Sequence, residues 1–162
     1  MFGITAAGRH PQATIVAVDW PAVLEVAREN AERAGVTARY EMRPGDAFKV
    51  DYGRDYDAAF VTNFLHHFDA PTCTAFLKRV ADALRPEGQL VVLEFVPHDD
   101  RVTPRVPASF VMNMLAGTAS GDAYTLKELT GMLEAAGYAD IRAQELQTFQ
   151  SIVLARKQAS AA

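Results

Sequence analysis

Residues 13–19 read Ala-Thr-Ile-Val-Ala-Val-Asp, a short apolar run that ends in a carboxylate. Such a run is typical of a strand buried on both faces of a parallel sheet. Residues 21–35 have the pattern of an amphipathic helix, with proline in its first turn and Gly35 as its C-terminal stop. Strand, helix and glycine follow one another in the order of a βαβ unit, so this stretch predicts an α/β fold.

The alternation of strand and helix continues along the chain. Further strands are predicted at residues 39–43, 55–62, 89–96, 141–146 and 151–155, and further helices at 72–84, 108–116 and 125–136. The proline-rich connection between residues 97 and 107 is a candidate lid. These elements predict one domain built on a doubly wound α/β sheet, whose ligands bind beyond the carboxyl ends of the strands.

Composition and charge exclude several classes of function. The 162 residues carry 16 basic and 20 acidic side chains, and no basic cluster is longer than two residues, so a nucleic-acid partner is disfavoured. No apolar run approaches the roughly 18 residues of a membrane span, and nothing typical of a secretory leader follows Met1. The single Cys73 can form neither an internal disulfide nor a thiolate zinc cluster. We therefore expect a cytoplasmic protein that is not bound to membranes.

Polar side chains follow the predicted strands at their carboxyl ends. Asp19 is a carboxylate that can accept from two vicinal ribose hydroxyls, although it could equally cap the helix that begins at Pro21. Asp46 could accept from the exocyclic amine of a base while Phe48 packs on that base, or it could only close a turn. This edge of the sheet is the predicted site.

Five segments span most of the chain in a fixed order. They are Ile15–Asp19, Pro44–Phe48, Asn63–Phe68, Ala83–Gly88 and Val91–Glu94. Together they resemble the Rossmann-like methyltransferases that use S-adenosylmethionine, and among these the small-molecule O-methyltransferases of the caffeate and hydroxyindole type. The resemblance implies a Rossmann-like, mostly parallel sheet of the methyltransferase type and a small-molecule substrate. It also allows a homodimer.

The resemblance further implies which residues hold the cofactor. Asp19 would bind the ribose, Asp46 and Phe48 the adenine, and Thr62 and Asn63 would lie beside the methionine end. The full set of cofactor-binding residues implied is Asp19, Trp20, Asp46, Ala47, Phe48, Thr62 and Asn63. No metal ion is implied.

A base at His66 is implied by the resemblance and is supported by the chemistry. Methyl transfer from a sulfonium is an in-line displacement in which the acceptor hydroxyl gives up its proton, and imidazole is a suitable acceptor. Glu94, at the end of the next strand, could orient the other ring nitrogen of His66. The alternatives are that His66 caps a helix and that Glu94 is satisfied by a backbone amide. His67 is the rival base.

Other residues near this site allow simpler interpretations. A metal site formed by His66, His67, Asp69 and His98 is disfavoured, because adjacent histidines rarely share an ion. Cys73 is interpreted as a buried helix residue rather than a nucleophile. The apolar residues Phe110, Met112, Met114 and Leu115 are interpreted as core or as a pocket wall.

The chain departs from the family pattern at two places. Residues 1–4 match the helix that follows the glycine loop of the family, so we expect the domain of residues 1–162 to lack its first strand and that loop. A chain without them is expected to bind S-adenosylmethionine weakly and to have an incomplete sheet. The second glutamate of the family falls at Ala123, beside Asp122. Residues 158–162 are expected to form a disordered tail.

Three functions remain open on this sequence. The first is an O-methyltransferase acting on a hydroxyl of a small apolar or aromatic molecule. Residues 63–65 lack the Asn-Pro-Pro-Tyr run of enzymes that methylate base amines, which favours oxygen as the acceptor. The second is a non-catalytic binding or interaction module that has lost the cofactor loop. The third, a dehydrogenase, lacks support because no Gly-x-Gly-x-x-Gly is present.

Overall fold

The computed structural model describes residues 1–159, which form two compact units: residues 1–53 and the described chain from residue 54 onward. The first unit contains α1 (Phe2–Arg9), β1 (Ile15–Asp19), α2 (Pro21–Arg33) and β2 (Tyr40–Pro44). The second contains β3 (Tyr56–Thr62), α3 (Ala70–Ala83), β4 (Leu84–Glu94), α4 (Arg105–Gly117), α5 (Leu126–Ala135), β5 (Tyr138–Glu145) and β6 (Ser151–Lys157). No helix in residues 1–159 has the length and apolar character needed to cross a membrane.

The first unit is built on a parallel pair of strands. β1 and β2 run in register from Ile15 opposite Tyr40 to Asp19 opposite Pro44. Four buried side chains, together with Ile15 and Tyr40, form its small core: Ile4, Ala7, Ala31 and Val36. The predicted helix at the start of the chain is present as α1, and α2 ends before Gly35 with φ +67°, as its pattern predicts.

The second unit contains a four-stranded sheet in the order β3-β4-β6-β5. β3 and β4 are parallel, whereas β6 is antiparallel to both of its neighbours. Helices α3 and α5 contribute the fully buried Leu77, Leu129 and Leu133 to the core of this unit. The predicted capping box at Thr125 is present, since the side chains of Thr125 and Glu128 each bond the other residue's backbone nitrogen.

The strand edges agree with the expectation of an incomplete sheet. Among the described residues, β1 pairs only with β2 and β3 pairs only with β4, so the strands form two sheets. β1 and β3 therefore each leave one edge without a strand partner in this part of the chain.

One predicted boundary needs correction. Residues 85–88 were predicted only to end a helix, but they form a bulge inside β4, because Tyr56 lies opposite Leu84 and Ala58 lies opposite Gln89. The bulge contains Glu87 at φ +60°. At the start of the expected tail, the backbone N–H of Gln158 donates to the carbonyl of Gly137. Residues 160–162 of that tail lie outside the described residues.

Candidate active site

The second unit brings His66 and Glu94 together, as the position of both residues after neighbouring parallel strands predicts. His66 lies in a 3-10 turn, Leu65–His67, that follows β3, and Glu94 is the last residue of β4. The Nδ1 atom of His66 lies 2.6 Å from Oε2 of Glu94. Both side chains are buried, with 6% and 3% of their surface exposed. A buried contact of this length is a charge-assisted hydrogen bond.

The second oxygen of Glu94 fixes the turn that carries the histidine. Oε1 accepts from the backbone N–H of Phe64 at 2.8 Å and from that of Leu65 at 2.9 Å. The interpretation that a backbone amide satisfies Glu94 is therefore correct, and it coexists with the bond to His66. One carboxylate thus orients the imidazole and also holds the two residues that precede it.

The interpretation of His66 as a helix cap is wrong. Helix α3 is capped by Asp69, whose Oδ1 accepts from the backbone N–H of Thr72 at 2.9 Å. The imidazole of His66 makes no capping bond, because its Nδ1 atom is engaged by Glu94. The N-cap of α3 is therefore Asp69 and not His66.

The bond to Glu94 determines what the free side of the imidazole can do. A carboxylate accepts only, so Nδ1 carries the proton in this contact and the neutral ring keeps a lone pair on Nε2. Nε2 makes no hydrogen bond to any residue between 1 and 159. The arrangement can therefore take up a proton at Nε2, and the resulting imidazolium is stabilised by the carboxylate behind it.

Two stacked aromatic rings lie on one side of the imidazole. The ring of Phe110, from α4, meets the ring of His66 edge to face with centroids 4.9 Å apart. Phe95 stacks on Phe110 at 4.3 Å. A narrow crevice is lined by His66, Glu94, Phe95, Tyr124 and Leu129. These rings give the base an apolar wall on one side.

The other apolar residues of α4 divide between core and surface. Met114 is buried, whereas Met112 and Leu115 are 64% and 72% exposed. For the latter two, the interpretation as core does not hold within the described residues. Phe110 does not line the crevice itself, but its ring contacts those of His66 and Phe95, which do.

The rival base, His67, has a different environment. It is exposed, and its ring lies 4.3 Å from that of His66. Desolvation, and secondarily the neighbouring His66, lowers the pKa of His67. In residues 1–159 no carboxylate is bonded to its ring. The geometry therefore favours His66 as the oriented base.

Ala123, where the resemblance implies the second glutamate of the family, is fully buried. The neighbouring Asp122 forms an ion pair with Arg101, at 3.1 Å between Oδ2 and Nη1, and so is engaged elsewhere. Within the part of the chain that the structure describes, no group of three or more His, Cys, Asp and Glu side chains is arranged to hold a metal ion.

The first unit places Asp19 and Asp46 at the carboxyl end of its two strands. Asp19 is exposed and does not cap α2, whose N-cap is Trp20 without a side-chain bond, so the capping interpretation is wrong. Its Oδ1 accepts from the backbone N–H of Trp20 at 2.8 Å. The carboxylate is therefore held at the strand end, and its other oxygen, Oδ2, makes no hydrogen bond to a residue between 1 and 159.

Asp46 does close a turn, which was the simpler of its two interpretations. Its Oδ1 accepts from the backbone N–H of Phe48 at 2.9 Å, and its Oδ2 lies 3.2 Å from Nζ of the exposed Lys49. The carbonyl of Ala47 accepts from the hydroxyl of Tyr52. Phe48 is partly buried in the same turn.

In the second unit, Thr62 is the last residue of β3 and Asn63 follows it. Asn63 has φ +52°, a left-handed conformation that asparagine tolerates better than most residues. Its Oδ1 accepts from Nε2 of Gln150 at 2.5 Å, across 87 positions of sequence. No local pattern marks Gln150, so sequence reasoning missed it.

Comparison with known proteins identifies the family. Residues 4–139 match the model of the O-methyltransferase domain. The chain belongs to this O-methyltransferase domain family. The fold is accordingly the Rossmann-like α/β fold of the S-adenosylmethionine-dependent methyltransferases, with the departures described above.

Individual members of the O-methyltransferase family agree with this assignment. The chain is 33% identical over 134 residues to a 3-hydroxy-5-methyl-1-naphthoate 3-O-methyltransferase of Streptomyces sahachiroi, covering 83% of this chain and 39% of the relative. It is 30% identical to the acetylserotonin O-methyltransferase of Gallus gallus, covering 91% and 42%. The chain therefore spans about two fifths of the curated relatives that it matches.

Solved structures of the O-methyltransferase family have the same fold. A candidate O-methyltransferase of Nostoc punctiforme superimposes with a TM-score of 0.94 at 46% identity, covering 96% of this chain and 48% of that one. Human N-acetylserotonin methyltransferase, solved in complex with S-adenosylmethionine, gives 0.82 at 25% identity, covering 96% and 45%.

Proposed function

We propose that the protein is an S-adenosylmethionine-dependent O-methyltransferase in which His66 is the general base. The observation that carries this proposal is the buried contact of 2.6 Å between His66 Nδ1 and Glu94 Oε2, which leaves Nε2 as a proton acceptor. Glu94 acts as a positioning residue, because it touches the imidazole and the backbone of the same turn but not the reacting atoms.

The residues of the first unit suit the adenosine part of the cofactor. Asp19 is an exposed carboxylate at the end of a parallel strand and has no capping role, so it is available for the ribose diol. Asp46 lies in the turn after β2, and its carboxylate is the type of group that accepts a hydrogen bond from an exocyclic amine. The bound cofactor would supply an electrophilic methyl group.

In this proposal, His66 removes the proton of the substrate hydroxyl that accepts the methyl group. Nε2 of His66 would take the proton of the substrate hydroxyl as the oxygen attacks, and the positive charge that forms on the ring would face Oε2 of Glu94. Because both side chains are almost fully buried, this pairing is poorly screened by water.

The substrate that fits this site is a small apolar or aromatic hydroxyl compound. Phe95 and Phe110 form stacked rings next to the imidazole, and they would bind a flat apolar acceptor better than a charged one. Relatives named for naphthoate and acetylserotonin substrates, and a family member solved with apigenin, support an aromatic acceptor. We further propose that the protein acts in the cytoplasm on such molecules and assembles as a homodimer.

A non-catalytic binding module is the second candidate function. It is favoured by Ala123, an alanine at the position where the resemblance to the family implies a second glutamate. This alternative predicts that the protein transfers no methyl group, whether or not His66 is replaced.

Replacement of His66 by alanine in the full-length protein separates the two functions. We expect kcat for methyl transfer to a phenolic acceptor to fall roughly 10²–10⁴-fold, while affinity for S-adenosylmethionine in calorimetry changes little, since a base contributes to rate more than to binding. The matched control is His98→Ala, because His98 also contacts a glutamate, at 3.0 Å, but on the surface. Equal turnover in the two variants would reject His66 as the base.

A further inference from the structure

The segment of residues 118–124, between α4 and α5, approaches the turn that carries His66. At Gly121 a Cβ atom would overlap the backbone carbonyl oxygen of His66 and would lie 3.1 Å from the carbonyl carbon of His67. It would also lie 2.5 Å from the side-chain oxygen of Thr118. Glycine at this position therefore permits a backbone approach that no other residue allows without displacement.

Hydrogen bonds hold this segment in place against the turn. The hydroxyl of Tyr124 donates to the carbonyl of Phe68 at 2.5 Å, just after the turn. Burial raises the pKa of Tyr124, so its phenol remains a donor at neutral pH. The backbone N–H of Gly121 donates to Thr118 Oγ1 at 2.7 Å, and that hydroxyl donates to the carbonyl of Met114 at 2.8 Å.

The far side of the segment is fixed by an arginine. Arg101 lies 3.1 Å from Asp122 and 2.6 Å from Glu128, and Glu128 belongs to the capping box of α5. The segment is thus held between α4, α5 and the connection of residues 97–104. It cannot yield easily if a larger side chain is placed at Gly121.

We propose that residues 118–124 position the base, with Gly121 and Tyr124 as positioning residues that fix the backbone of His66 and Phe68. The inference rests on the proposed function of His66. Glu94 holds one side of the turn by accepting hydrogen bonds from the N–H groups of Phe64 and Leu65. The segment confines the other side of the turn, where it contacts the carbonyls of His66 and Phe68.

The variant Gly121→Ala tests the proposal in the full-length protein. An unbonded carbon and a carbonyl oxygen stay at least about 3.3 Å apart, so the His66 backbone must move by about 1 Å. A misplacement of that size costs roughly 100-fold in rate. We therefore expect kcat to fall roughly 100-fold. KM should change by less than about threefold, because Gly121 is not among the residues proposed to bind the cofactor or the acceptor.

Gly117→Ala is the matched control. Gly117 precedes the segment at the end of α4, and a Cβ atom there would have nothing within 4 Å. This variant should keep the kcat of the unmodified protein. If Gly121→Ala also keeps it, the proposal is overturned, while the function of His66 stands as long as His66→Ala is inactive.

A spectroscopic measurement keeps the proposal testable whatever the activity. The proton shared by His66 Nδ1 and Glu94 should give a downfield NMR resonance, which His66→Ala removes and thereby assigns. We expect this resonance to shift or vanish in Gly121→Ala and to stay in Gly117→Ala. Unchanged spectra in both would refute the proposal even if the protein transferred no methyl group.

A milder variant guards against misfolding of Gly121→Ala. Tyr124→Phe removes only the hydroxyl that bonds the Phe68 carbonyl and keeps the ring that lines the crevice. We expect a loss of kcat of roughly tenfold, with the unfolding transition still cooperative. A kcat equal to that of the unmodified protein would overturn the part assigned to Tyr124.

Discussion

Replacing Glu94 by glutamine is the change that most sharply tests the role of the buried pair. The substitution keeps the size of the side chain and removes its charge. The amide can satisfy its neighbours in only one orientation. Its oxygen must face the N–H groups of Phe64 and Leu65, because turning the amide nitrogen toward them would oppose donor to donor.

In that orientation the amide nitrogen donates to Nδ1 of His66. The imidazole must then carry its proton on Nε2, which is the atom that should accept the proton of the substrate. Fixing the wrong tautomer costs roughly 10⁴-fold in kcat in enzymes that depend on such a pair. The loss of charge-assisted bonds to a buried carboxylate should also lower the free energy of unfolding by about 1.5–3 kcal/mol.

The assay measures transfer of a labelled methyl group at saturating S-adenosylmethionine, together with urea unfolding. The control is Glu145→Gln, since Glu145 contacts His98 at 3.0 Å with 68% of its side chain exposed. A surface pair of this kind contributes little, so both kcat and stability should stay near those of the unmodified protein. A Glu94→Gln variant that keeps kcat within about threefold would refute the tautomer argument.

Two further predictions concern residues outside that pair. Asp19→Ala should weaken S-adenosylmethionine binding in calorimetry by roughly 10–150-fold, which is the loss expected when a charge-assisted hydrogen-bond partner is removed. The control is Glu29→Ala on the exposed face of α2, which should leave this affinity unchanged. Unchanged affinity in Asp19→Ala would show that Asp19 is not part of the cofactor site. Burial raises the pKa of the Cys73 thiol from 9.0 to about 12. Between these two pH values the thiol is deprotonated in the unfolded chain but stays protonated in the folded chain. The contribution of Cys73 to stability is complete below pH 9 and is lost as the pH rises toward 12, and urea unfolding of Cys73→Ala should show a shallower decline over that range.

The parts of the fold that could be predicted from sequence are those with a local physical signal. The apolar run before Asp19, the capping box at Thr125 and the glycine after α2 each act within a few residues, and the structure has the expected element at each. The bulge at residues 85–88 could not be predicted, because it depends on which residue of β3 faces which residue of β4.

The candidate site divides in the same way. The contact between His66 and Glu94 could be predicted, because the carboxyl ends of parallel strands meet at one edge of the sheet and these residues lie at the ends of β3 and β4. The contacts of Gln150 with Asn63 and of Gly121 with the His66 turn join residues 87 and 55 positions apart. Such contacts depend on tertiary packing, which one sequence does not reveal.

The position of β6 inside its sheet affects how the second unit is made on the ribosome. Ser151 is the register partner of Glu94, yet it is synthesised 57 residues later. At a rate of synthesis of roughly 5–20 residues per second, one edge of β4 remains without its partner strand for roughly 3–11 seconds. During that interval a nascent chain presents unpaired strand and apolar side chains from β4, so aggregation and chaperone capture compete with folding until residue 157 has emerged.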